Sequence, residues 1–137
     1  MSHILLIEDD PDLVALLSHH LRRRGHEVSV AFDGSEGYVA AVRNRPDVVV
    51  LDLLLPGFTG HEVLHLIRTN PEIRRTPVLV LSALDSEEEK SRVRARGADA
   101  AIGKPFSLSN VLDRIADLLR PRPRPRSGSA EPIALSG

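Results

Sequence analysis

Residues 4–12 read ILLIEDDPD: four apolar residues, three consecutive carboxylates, a proline and a further acid. The apolar part has the length and composition of a short strand buried on both faces. Asp10 followed by Pro11 marks a helix start, because an Asp side chain accepts from the free N–H groups of a first turn and proline's fixed φ suits the first helical position. Leu13, Leu17 and Leu21 then recur at helical spacing, and Gly25 supplies the stop. These nine residues therefore predict a strand that runs into a helix through a turn made almost wholly of negative charge. Two unit charges about 4 Å apart repel by roughly 4 kcal/mol at an effective dielectric near 20. A fold that gathers Glu8, Asp9 and Asp10 needs something to offset them.

The same strand-to-helix alternation continues outward from this stretch. Short apolar runs recur at Val28–Ala31, Val48–Leu51, Val78–Leu81 and, more weakly, Ala100–Ile102, each read as a strand buried on both faces. Between and after them, apolar residues fall at helical spacing: Tyr38/Ala41/Val42, Val63/Leu64/Ile67 and Val111/Leu112/Ile115/Leu118/Leu119. A helix over Glu87–Arg96 opens after Ser86 with three acids, which N-capping and the helix dipole favour, and has only Val93 and Ala95 to bury. Five strand–helix units in residues 1–120 predict a doubly wound α/β domain with a parallel sheet, right-handed crossovers and helices on both faces.

Composition fits one such domain. The 137 residues are 42% hydrophobic, enough for one ordinary core. No apolar stretch approaches the roughly 20 residues of a membrane span, and no signal-peptide pattern opens the chain, so a cytoplasmic protein without a membrane partner is expected. The absence of cysteine excludes disulfides, thiolate metal sites and cysteine nucleophiles. The net charge of −1 divides unevenly: four arginines and one glutamate from Arg120 onward give +3, leaving −4 on residues 1–119. Residues 121–137 alternate proline with arginine and then turn Ser/Gly-rich, which reads as a disordered tail or linker. A basic arm is the sharper reading of that tail, but its arginines lack interleaved aromatics, so nucleic acid is not the expected partner of this domain.

In a doubly wound sheet, ligands bind at the carboxyl ends of the strands near the point where strand order reverses. Glu8 and Asp9 follow the first apolar run, Asp52 the third, Ser82 the fourth and Lys104 the fifth. Each has an ordinary reading when taken singly. Asp10 is a helix cap, Glu8 and Asp9 are solvated loop acids, Ser82 is a strand-end hydroxyl on backbone, Lys104 is a surface charge and Pro105 a turn residue. His19/His20 and the i, i+4 pair His61/His65 read as surface histidines.

Taken together, the acidic pair Glu8-Asp9, the segment from Asp52 through Leu55-Pro56 to Gly60, Ser82-Ala83 and Lys104-Pro105-Phe106 resemble the receiver domain of two-component response regulators over nearly all of residues 3–119. The resemblance implies a flavodoxin-like sheet of order 2-1-3-4-5 and a phosphoryl group passed to Asp52 from a sensor histidine kinase or histidine phosphotransfer protein. It implies that Ser82 and Lys104 receive the phosphoryl oxygens, and that Mg2+ (or Mn2+) is held by Glu8, Asp9, Asp52 and the backbone carbonyl of Leu54. It also implies a cis Lys104–Pro105 bond and an output face over residues 87–119 that meets a downstream protein or a second copy. Such a domain accepts and slowly hydrolyses its own phosphoryl group and is not a turnover enzyme. A divalent cation would offset the acidic cluster, and phosphoryl transfer is largely positioning and electrostatics.

The sequence departs from the family pattern at three modulating positions. Ala101 stands where the family usually carries an aromatic that turns inward on activation. Leu54 and Leu84 stand at two variable positions that are often polar and help a water attack the phosphoryl group. Two other readings use the same residues. A magnesium-dependent phosphatase with an aspartyl nucleophile would want a second acid two residues after Asp52, where Leu54 stands. A phosphorylation-independent interaction module on the same fold is favoured by Ala101 and opposed by the intact acidic set. Partial likeness to a dimerising subgroup in Lys90, Arg92, Asp99 and Arg114 lacks the partner acids at Ala100 and Ser109.

Overall fold

The computed structural model describes residues 2–83 and 86–121. The elements alternate throughout: β1 His3–Ile7, α1 Pro11–Arg23, β2 Glu27–Ala31, α2 Gly34–Asn44, β3 Val48–Asp52, α3 Gly60–Thr69, β4 Val78–Ser82, α4 Glu87–Ala95, β5 Ala100–Gly103 and α5 Leu108–Leu119. All strand pairs are parallel and the sheet order is β2-β1-β3-β4-β5, the doubly wound arrangement expected from the alternation. Leu84 and residues 122–137 lie outside the described residues, so the expectations for Leu84 and for the tail concern positions beyond them.

Alternation along the strands splits the core in two, since successive side chains of a strand point to opposite faces. Leu5, Ile7, Val49, Leu51, Val78 and Val80 belong to one cluster with Ala41 of α2, Val63, Leu64 and Ile67 of α3, and Val93 of α4. Ile4, Leu6, Val48, Val50, Leu79 and Leu81 belong to the other, with Leu17 and Leu21 of α1 and Val111, Leu112 and Ile115 of α5. Helices therefore cover both faces, and β1, β3 and β4 are buried along almost their whole length.

Helix ends follow the local signals. Asp10 caps α1 by accepting from Asp12 N–H at 3.0 Å, Pro11 occupies the first helical position, and Gly25 leaves the helix with φ +92°. Thr59 and Glu62 form a reciprocal capping box at α3, and Ser86 caps α4. Val14 and Ser18 share the inner face of α1 with Leu17 and Leu21, and Leu13 packs half-buried against the same cluster. Two expectations need correction. β2 is an edge strand whose Val28 and Val30 are only half-buried, because one side of it has no neighbouring strand. In α4, Ala95 is exposed, and the residues buried are Val93 and Glu89.

Candidate functional site

Strand order reverses between β1 and β3, whose carboxyl ends open the crevice where such sheets bind ligands. Glu8 leaves β1 with its N–H on Ala31 O at 3.0 Å, so the chain continues straight off the sheet edge and its side chain enters the crevice. Asp52 is the last residue of β3, Ser82 the last of β4, and Lys104 follows β5 at once. Ser82 pairs with Gly103 in register, and Lys104 N–H donates to Ser82 O at 2.7 Å. The Lys104–Pro105 peptide is cis, as the resemblance implied.

These junctions bring the acids and the lysine to one point. Glu8 and Asp52 are each only 3% exposed, whereas Asp9 is exposed. One carboxylate oxygen from each of the three lies within 4.8 Å of the others. Lys104 Nζ stands 3.5 Å from Asp52 Oδ1 and 3.7 Å from Glu8 Oε1, bridging the two buried acids. Asp52 Oδ1 also accepts from the Leu54 backbone N–H at 3.1 Å. The Leu54 side chain is 67% exposed, outside the buried core.

A glycine permits this close packing at the base of the site. Gly60 N–H donates to Leu53 O at 3.0 Å, and a Cβ at position 60 would stand 2.4 Å from both Asp52 O and Leu53 Cα. Only a residue without a side chain lets α3 begin so near Asp52.

The cluster is electrostatically incomplete. Glu8 is pushed up to about 7, first by burial and then by the neighbouring Asp52 carboxyl, with Lys104 acting in the opposite sense. Its Oε1 is buried and has no hydrogen-bond partner among the described residues. A buried acceptor that lacks a hydrogen bond and has only the Lys104 ammonium at ion-pair distance, in a group of converging carboxylate oxygens, belongs to the kind of donor set a hard divalent cation takes. The residues present fit a magnesium ion.

Of the site residues read from the sequence, Glu8, Asp9, Asp52 and Lys104 converge, Ser82 ends the adjoining strand and Leu54 follows Asp52, while Leu84 lies outside the described residues and Ala101 is buried within β5. Asp10 is confirmed as a cap that also places its N–H 3.2 Å from Glu8 Oε2. Sequence reading missed the Gly60 contact and the burial of Glu89. The first depends on how closely a helix follows a strand, and the second on which helix lies beside α4.

Fold and site together define a receiver-type α/β domain. The family model for the response regulator receiver domain matches residues 4–116, and the chain belongs to that family. Among curated relatives, it is similar to the transcriptional activator protein PfeR of Pseudomonas aeruginosa, with 44% identity over 117 residues covering 85% of this chain and 37% of PfeR. The chain spans about half the length of other curated relatives it matches. Among solved structures, the receiver domain of Francisella response regulator 1452 aligns with TM-score 0.82 and 32% identity, covering 87% of this chain and 97% of that one. The receiver domain of the Pseudomonas aeruginosa sensor histidine kinase PA1611, solved with a magnesium ion coordinated in its active-site cleft, aligns with TM-score 0.77 and 26% identity over 86% of this chain and 97% of its own.

Proposed function

We propose that this domain accepts a phosphoryl group on Asp52 from the phosphohistidine of a sensor histidine kinase or a histidine phosphotransfer protein. The observation that carries the reading is a buried carboxylate at the end of the central strand, bridged by Lys104 to a second buried acid. An Asp52 oxygen attacks phosphorus while the nitrogen–phosphorus bond breaks and the imidazole leaves with the bonding electrons. Leu54 N–H and Lys104 hold Asp52 Oδ1 in position and orient the other oxygen for attack. Lys104, with the Ser82 hydroxyl at the neighbouring strand end, is suited to the charge on the equatorial oxygens.

Glu8, Asp9, Asp52 and the Leu54 carbonyl would hold Mg2+ (or Mn2+), which when bound shields the carboxylates and the incoming phosphoryl oxygens. The magnesium in the cleft of the PA1611 receiver domain supports this assignment. An acceptor rather than a turnover phosphatase is supported by Leu54, which offers no group to protonate a leaving alcohol two residues after Asp52. The output acts through the 87–119 face on a protein partner, in keeping with relatives that are transcriptional regulators. The dimer pairs weighed from sequence gain no support from Asp99 or Arg92. Asp99 binds Arg68 at 2.8 Å and the Val78 N–H at 2.8 Å, and Arg92 binds Glu89 at 2.9 Å.

Incubation with acetyl phosphate and Mg2+ tests the reading by intact mass. The wild type should gain one phosphoryl group, and Asp52→Asn and EDTA-treated wild type should gain none. Full labelling of Asp52→Asn would refute the assignment, and no labelling of wild type would favour a phosphorylation-independent module.

A further inference from the structure

α1 and β2 leave a groove of about 590 Å³ between them. β2 ends the sheet, so no further strand closes the groove beyond it. The lining is sorted along the helix. Pro11, Val14 and Ala15 from the amino half of α1 are apolar, as are Val30 of β2 and Phe32 just after it, and Phe32 is 47% exposed. His19, Arg22 and Arg23 from the carboxyl half of α1 are basic, and no acid lines the groove.

Basic residues in a last helical turn offset the helix dipole, so Arg22 and Arg23 alone point to no ligand. Ser18, between the two halves, has no such account. It lines the groove and is 5% exposed, and its Oγ is buried without a hydrogen-bond partner among the described residues. A helical serine can bond the carbonyl four residues back, and Ser18 does not. A buried hydroxyl left unpaired is destabilising, and a ligand acceptor beside it removes that cost.

We infer that this groove binds a single-chain organic anion, a medium-chain carboxylate, with its head between Ser18 and Arg22 and its chain along Val14, Val30 and Phe32 toward Pro11. Ser18 and Arg22 stand one turn apart on one helix face. Arg22 donates to Val28 O at 3.3 Å, which lays its guanidinium against β2 and leaves further N–H groups for a carboxylate. Among the described residues no acid forms an ion pair with Arg22 or Arg23. Charge fixes the direction of the ligand: the amino end of α1 adjoins Glu8, Asp9 and Asp10, which repel an anion and leave that end to the chain. From Ser18 back to Pro11 the helix rises about 10 Å, room for one chain of medium length. A mostly apolar groove with a few polar groups that fix orientation, and a volume within roughly 300–1,000 Å³, is the usual form of a small-molecule site.

The full chain with saturating Mg2+ should be titrated with octanoate by calorimetry, below the concentration at which octanoate self-associates, with octanol as the uncharged control. Octanoate should bind at one equivalent, and octanol roughly tenfold or more weakly. Ser18→Ala and Arg22→Gln should each lower octanoate affinity roughly tenfold, since each removes a hydrogen bond to a charged group. Ser18→Ala should keep or raise the melting temperature of the wild type, which separates a ligand role from a structural one. Asp52→Asn should bind octanoate as the wild type does, so the groove is tested independently of the phosphoacceptor assignment. Absence of saturable binding, equal affinity for octanol, unchanged affinity in either Ser18→Ala or Arg22→Gln, or capture by anionic lipid vesicles in place of free octanoate would overturn the inference.

Discussion

Glu8 links the electrostatics of the acidic pocket to a measurable stability. In the unfolded chain its carboxyl titrates near 4.5, and in the folded domain burial and Asp52 raise it to about 7. Between those values the folded state binds more protons than the unfolded state, so unfolding free energy falls as pH rises. The contribution is fully present below the unfolded value and is lost as pH climbs through the folded one. A rise from 4.5 to about 7, at about 1.4 kcal/mol per tenfold change in proton affinity, amounts to about 3 kcal/mol. The metal-free domain should therefore be more stable near pH 5 than near pH 8 by most of this amount, about 2.5 kcal/mol, relative to a variant in which position 8 cannot ionise.

Urea unfolding in EDTA across that range, for wild type and Glu8→Gln, isolates the effect, because glutamine keeps the shape of the side chain and all other titrating groups are common to both proteins. The wild-type curve should fall relative to the variant as pH rises, and Mg2+ should remove most of the difference by favouring the ionised carboxylate. Magnesium binding near pH 6 should accordingly release protons, visible as a buffer-dependent heat. Parallel pH dependences of wild type and Glu8→Gln in EDTA would refute the claim that the fold holds this carboxyl above its ordinary range.

Arg68 donates to Gly97 O, Arg74 O, Thr76 O and Asp99 Oδ2 at 2.7–3.0 Å, so Arg68→Ala should cost on the order of 3 kcal/mol in urea unfolding; a loss within error of zero would show that water replaces these bonds freely. Gly60→Ala should lower stability by roughly 1–3 kcal/mol and slow acetyl-phosphate labelling, because the new Cβ must push α3 away from Asp52 O and Leu53 Cα; unchanged labelling with lowered stability would separate the contact from the site. Leu54→Asn should shorten the lifetime of the phosphorylated form without changing stability, since the side chain is exposed and an amide can hold a water in line with the phosphorus bond; decay at the wild-type rate would show that position 54 does not govern water.

The elements legible in the sequence were those whose signals are local. Val48–Leu51 and Val78–Leu81 are apolar without interruption because strands in the middle of a parallel sheet are covered on both faces, and Asp10-Pro11 announces a helix whatever surrounds it. The site was legible for a different reason: the topology rule turns the residue after each apolar run into a position in space, so Glu8, Asp52, Ser82 and Lys104 could be brought together before any coordinate was known. What escaped depends on which elements become neighbours. Val28 looked like a central-strand residue because nothing local marks β2 as an edge. Glu89 looked like one more dipole-favoured acid, and its burial follows from the approach of His61 on α3 and Arg92 one turn along. Arg68 gave no signal at all, since its partners are carbonyls and an acid 6 to 31 residues away.

The anchoring of α4 bears on how the proposed phosphorylation at Asp52 would be passed on when Ala101 replaces the usual aromatic. Ala101 lies opposite Val80 in the sheet and is buried in the cluster that contains Val93, so a small side chain is packed where a mobile ring would otherwise turn. α4 contributes a single buried apolar side chain, Val93, to the core. Its carboxyl end is secured, because Arg68 binds Gly97 O and Ala98 N–H returns to Val93 O at 3.1 Å. Its amino end is capped by Ser86, only four residues beyond Ser82, the last residue of β4. Were Ser82 displaced toward a phosphoryl group on Asp52, as the proposed function implies, the amino end of α4 would be the part of the helix nearest to it in sequence. The helix resists chiefly through Glu89 and its contacts with His61 and Arg92, polar interactions that rearrange at lower cost than a packed aliphatic core. With no ring to move at position 101, a weakened contact in Glu89→Gln should let α4 shift further on beryllofluoride binding, read as a larger loss of amide protection over α4 than in wild type; equal loss in both proteins would refute this role for the contact.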